Sequence, residues 1–170
     1  MTKSCRWISA AIVFCAVPFG TLVQSQNSRM GSEDIAVIKK DVKAASDRYF
    51  RLFSEHQMST LDEVYNVPLI TVGPNEIVAR TTREQVIQRA VTSYDQWSPE
   101  KTGYLRSEMP NPTICVLNPG AAIVSGKWYR IKKDGSVMTE SGIAYFWGKT
   151  KAGWRMIGWA GTDRLVACGD

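Results

Sequence analysis

At 170 residues, 44% of them hydrophobic, the chain is long enough for one ordinary domain with its own core and too short for two. A formal net charge of +5, carried by scattered Lys and Arg residues, argues against a nucleic-acid footprint. A single His, and Cys residues without ligand spacing, argue against a transition-metal centre, and no cofactor motif is present.

Lys3 and Arg6 precede an apolar run from Trp7 to Val23, after which Gln24, Ser25 and Gln26 turn polar. That layout predicts a secretory signal peptide over residues 1–25, and hence a secreted or periplasmic protein without membrane attachment once it is cleaved. Pro18 and Gly20 interrupt the run, which falls short of the roughly 20 residues of a membrane-spanning helix. An uncleaved anchor is the alternative, and a downstream start at Met30 would give a cytosolic chain. Cleavage removes Lys3, Arg6, Cys5 and Cys15, lowering the formal charge from +5 to +3. Cys115 and Cys168 then remain as the thiols of an exported protein, where oxidising conditions predict one disulfide; two free thiols are the other outcome.

Residues 26–33 are small and polar and read as a flexible leader to a domain over 34–170. Ile35, Ile38, Val42, Ala45, Tyr49, Leu52, Phe53 and His56 recur at helical spacing, predicting a first helix from about Asp34 to His56. Ser59 and Thr60, three residues before Asp62 and Glu63, predict a short helix over residues 61–66, stopped by Pro68. Residues 69–72 and 77–80 flank Gly73-Pro74-Asn75-Glu76 and read as a hairpin. Thr81 with Glu84 repeats the capping-box spacing and opens a third helix, Thr82 to Trp97. A strand near 104–109 follows. Turn signals at Asn118-Pro119-Gly120, Asp134-Gly135 and Lys151-Ala152-Gly153 then separate three long strands, about 121–131, 137–149 and 154–163. Helices first and a meander after is an α+β order. Arg130, Lys132 and Lys133 read as a solvated hairpin tip.

This element order, the terminal Gly153-Trp154-Arg155-Met156-Ile157 and the stretch Val116 to Trp128 together resemble the SnoaL-like and ketosteroid-isomerase-like branch of the nuclear transport factor 2-like superfamily. The resemblance covers about residues 34–163. It implies a cone: a curved antiparallel sheet of about five to six strands wrapped around the N-terminal helices, leaving a small pocket. It also implies that a family carboxylate base would fall near Val72, where an aliphatic side chain cannot move a proton. The family's hydrogen-bond-donating tyrosine falls near Tyr49, and a cyclase-type acid-base group near Asp163. His56, the one histidine, is either a general base continuing the face of helix one or a capping group at its end.

Three readings follow. The first is a pocket for a small, mostly apolar, oxygen-bearing molecule, lined by Tyr49, Leu52, Tyr94, Trp97 and Trp128 and needing no cofactor. The second is a proton-transfer enzyme using His56 or Asp163 as base with Tyr49 as donor. The third is an interaction module. Alternating aromatics on both faces of the late strands point in addition to a homodimer through the outer sheet face, and Gly126, Gly142 and Gly158, one per long strand, either permit sharp curvature or mark unrelated local bulges.

Overall fold

Helix α1, Ser32–Ser54, buries Ile38, Val42, Phe50 and Phe53 along one stripe and leaves its charged residues outside. It ends in a Schellman motif: the Gln57 N–H donates to the Leu52 carbonyl at 2.9 Å and the His56 N–H to that of Phe53 at 3.2 Å. His56 holds the left-handed position of that motif, at φ +57°. In the computed structural model, residues 30–163, Val166 and Cys168 are described. The signal peptide expected over residues 1–25 lies outside the described residues, as do residues 26–29 of the leader, while Ser32 and Glu33, expected in that leader, already belong to α1.

Helix α2 spans Met58–Leu61, earlier and shorter than the helix expected over 61–66. Val64 and Tyr65 are claimed by the sheet instead. The Val64 carbonyl accepts from the Met156 N–H at 2.8 Å, and strand β1 runs Tyr65–Val72. Strand β2, Ile77–Arg80, pairs antiparallel with it as the expected hairpin. Helix α3, Arg83–Trp97, has its capping box one residue later than expected: the Gln85 N–H donates to the Thr82 hydroxyl and the Gln85 side chain accepts from the Thr82 N–H. Its buried face is Val86, Ala90 and Tyr94. Pro99 opens one further turn, α4 (Pro99–Thr102), before strand β3, Tyr104–Glu108.

Strands β4 (Thr113–Asn118), β5 (Ala121–Lys132), β6 (Val137–Thr150) and β7 (Gly153–Gly161) complete the chain. The order across the sheet is β2-β1-β7-β6-β5-β3, with β4 beside β3 on the same edge of β5. The curved sheet is open, mixed and seven-stranded, where five to six antiparallel strands were expected. Two features account for the difference. Pro110-Asn111-Pro112 cannot continue a hydrogen-bonded ladder, so one edge is cut into β3, on the Tyr129–Lys132 end of β5, and β4, on its Ala121–Ser125 end. Strand β1 reaches β7 from the helices and not through a hairpin, so antiparallel pairing is not imposed, and the two run parallel.

Side-chain alternation divides the sheet into two faces. Ala122 and Val124 of β5, Tyr145 and Trp147 of β6 and Met156 of β7 face the helices and form the core. On the other face, the C-terminal tail covers part of the surface expected to be open. Ser125 is fully buried there, its hydroxyl donating to the Val166 carbonyl at 3.3 Å, and Cys115 is bonded to Cys168. The expected disulfide is thus part of the structure. It closes a loop of 53 residues from a mid-chain strand to the tail.

Gly158 sits where β7 changes register against both neighbours. A Cβ there would collide with the Ile70 carbonyl oxygen of β1, and a Cβ at Gly142 would collide with that of Thr162. Both glycines are therefore close-approach positions between backbones. Gly126 is milder, with the Met109 side chain 3.1 Å from where a Cβ would stand.

Candidate functional site

The cavity lies between α1 and the inner face of the sheet. Tyr49, Phe50 and Phe53 enter it from one side of α1, because positions i, i+1 and i+4 share a helical face. Opposite them, Trp128 and Arg130 project two residues apart on β5, Ile143 and Tyr145 two apart on β6, and Trp159 and Tyr65 come from β7 and β1. Arg89, Ala90 and Ser93 of α3 and Ser107 of β3 complete the wall. The cavity volume is about 150 Å³, the scale of a space that accepts a single six-membered ring.

The wall is held in place from behind. The Ser54 hydroxyl donates to the Phe50 carbonyl at 2.6 Å and accepts from the Ser107 N–H at 2.9 Å, and the hydroxyls of Tyr104 and Ser107 lie 2.8 Å apart. The end of α1 is thereby fastened to β3. The rings of Tyr49 and Tyr145 meet edge to face with centroids 5.5 Å apart, and Tyr49 and Tyr65 at 5.8 Å, which fixes the phenols relative to one another.

Burial pushes the pKa of all three phenols above the ordinary tyrosine value, Tyr65 and Tyr145 furthest. Tyr49 rises least, because the hydroxyls of Tyr65 and Tyr145 and the charge of Arg130 favour its ionised form. At neutral pH all three are protonated hydrogen-bond donors. The guanidinium of Arg130 is held between two indoles, with its central carbon 4.1 Å from the Trp97 ring centre and 4.3 Å from that of Trp128. Its burial lowers the arginine pKa, but a guanidinium remains a cation in proteins. Among the described residues lining the cavity there is no Asp, Glu or His.

Of the residues expected at a site, Tyr49 and Trp128 line this cavity. Leu52, one position round the helix from Phe53, is buried in the core instead. Tyr94 is also a core residue: its ring packs edge-on against Tyr104 and lies flat on His56. Trp97 stands behind the cavity wall, against Arg130. His56 is exposed at the α1 cap, stacked on Tyr94 at 3.9 Å, and Asp163 is exposed beyond the end of β7. Neither reaches the cavity, so the general-base roles expected of them have no geometric support; a left-handed cap turns His56 away from the stripe it would have continued. Val72 is exposed at the end of β1, also outside it.

Sequence reasoning missed Tyr65, Tyr145, Arg89 and, most consequentially, Arg130. A signal for Arg130 was present. On a strand, Trp128 and Arg130 face the same way, so a residue taken for a hairpin tip had to share the inner face of Trp128.

A family model described as NTF2-like protein (DUF6841) matches residues 39–164. Among solved structures, the chain is similar to an NTF2-like superfamily protein from Salmonella enterica serovar Typhimurium, with 14% identity over 75% of this chain and 92% of that one and a TM-score of 0.53. It is also similar to a protein of unknown function with a cystatin-like fold from Nostoc punctiforme, at 14% identity over 74% and 90% with a TM-score of 0.60. An NTF2-like protein with a cystatin-like fold from Novosphingobium aromaticivorans gives 13% identity over 75% and 82%, with a TM-score of 0.58. At such identities the likeness is one of fold. No curated protein matches the sequence.

Proposed function

The chain belongs to the NTF2-like protein family DUF6841, and on that premise we propose that its cone pocket binds a small, mostly apolar, oxygen-bearing molecule, outside the cytoplasm. The observation that carries this reading is the cavity of about 150 Å³ walled by aromatic rings, with protonated phenols turned toward one another inside it. Such a site combines apolar contact with a few convergent donors, the usual make-up of a small-molecule pocket. Export is supported by the signal-like N-terminus and by the Cys115–Cys168 bridge, since disulfides persist in oxidising compartments.

Binding is preferred over proton-transfer catalysis on the same geometry. A base must come within hydrogen-bond reach of the proton it takes, and the lining residues include no carboxylate or imidazole. The phenols, raised above their ordinary pKa, are donors and not bases near neutral pH.

Native mass spectrometry of the protein purified from its own host tests the reading. A retained small molecule is expected that is released on denaturation and is lost in Ala90→Phe, which fills the cavity from α3. Folded wild-type protein that carries nothing, and takes up no ring compound when offered one, would sink it.

A further inference from the structure

We infer that the pocket's ligand is a ring-bearing monocarboxylate, its anion held by Arg130 and Arg89 and its ring seated among Trp128, Trp159 and Tyr145. The inference deepens the binding reading above and rests on it.

The argument begins with Arg130. Two indoles lie against its guanidinium carbon, at 4.1 and 4.3 Å, so the counter-charge that a carboxylate would supply is replaced there only by ring faces. Its Nε–H is buried and has no hydrogen-bond partner among the described residues. Nor does any carboxylate there come within salt-bridge distance of Arg130 or Arg89. The titratable groups that act on Arg130 are three phenols, Tyr49, Tyr104 and Tyr145, and a second cation, Arg89.

A partly buried cation without a carboxylate is costly unless something else compensates it, and the indole faces do so only in part. The other polar groups with a settled role there are already partnered: the Tyr65 and Tyr145 hydroxyls donate to that of Tyr49, and the Ser107 hydroxyl is engaged with Tyr104. Two guanidinium groups without a carboxylate partner among the described residues complement an anion, and the planar fork of arginine matches a carboxylate in two parallel hydrogen bonds. The remainder of the wall is aromatic, and the volume suits one ring. A small inorganic anion would leave that aromatic wall unfilled.

The test compares three probes of one shape by isothermal titration calorimetry of the mature chain: benzoate, benzamide and the benzylammonium ion. Benzoate is expected to bind at least about tenfold more tightly than benzamide, as a charge-assisted pair exceeds a neutral one, with benzylammonium the weakest. Arg130→Gln, which keeps a planar amide but no charge, is expected to abolish the preference for benzoate over benzamide. Benzamide binding as tightly as benzoate, or a preference that survives Arg130→Gln, would overturn the inference while leaving the pocket in place. Folded protein that binds none of the three would remove the pocket reading and this inference with it.

Discussion

At the scale of single residues, the placement of His56 separates a structural from a catalytic role. Its backbone carries the left-handed angle of a Schellman cap, a conformation that costs a non-glycine residue about 1 kcal/mol, while its ring stacks on Tyr94. Replacing it with glycine relieves the first and loses the second, worth about 0.5–1 kcal/mol. His56→Gly is therefore expected to unfold in urea within about 1 kcal/mol of wild type and to bind ring compounds unchanged. A loss of binding would return His56 to the site.

The buried phenols make a second residue-scale prediction. Folding raises the pKa of Tyr49, Tyr65 and Tyr145, so the folded chain holds protons that the unfolded chain releases near pH 10. Their contribution is fully present below that pH and is lost as pH rises toward the folded values, by at most about 1.4 kcal/mol per unit for each phenol. Urea unfolding should show stability level from about pH 7 to pH 9 and falling above about pH 10, less steeply in Tyr145→Phe. Ligand affinity should also be level from about pH 6 to pH 9, because the groups facing the cavity there are protonated phenols and arginines.

At the scale of elements, the periodic helices and the aromatic long strands were readable because one rule governs each along its whole length. Helix α1 and helix α3 begin and end within about two residues of their expected places, the usual uncertainty of helix ends. The misreadings share a cause. Thr82 and not Thr81 caps α3, because two adjacent threonines offer the same spacing and only the Gln85 side chain decides between them. Tyr65 looks helical locally and becomes strand, with the Val64 carbonyl bonded to β7, because β7 offers its edge, a tertiary contact invisible to local pattern. The glycine of β7 could be picked out from sequence, but not that Ile70 would be what it meets. Gly158→Ala is expected to destabilise the fold by about 1–3 kcal/mol, the cost of overpacking, with thermal unfolding as the readout. An unchanged midpoint would mean that β1 and β7 tolerate a wider spacing than the present register.

At the scale of the whole molecule, the cone is an open, curved mixed sheet packed on α1, and a covalent tie joins a mid-chain strand to the tail. The Cys115–Cys168 bridge spans 53 residues, for which the loss of unfolded-chain freedom gives about 4 kcal/mol as an upper figure. The double variant Cys115→Ser, Cys168→Ser should unfold at lower denaturant concentration while keeping its cavity, since neither cysteine lines it. Much of the fold was legible because order and periodicity are carried by the chain itself. The site was legible only at Tyr49 and Trp128. Its remaining members come from seven separate elements, and what unites them is curvature, which no local spacing encodes.

Indole N–H resonances read that curvature directly. The chain has six tryptophans; of those in the sheet, Trp128 and Trp159 line the cavity while Trp147 and Trp154 do not. In a nitrogen–proton correlation spectrum of the labelled protein titrated with benzoate, the first two signals should shift in a saturable way and the latter two should hold still. Saturable shifts at Trp147 and Trp154 with Trp128 and Trp159 unmoved would contradict a ligand seated inside the cone.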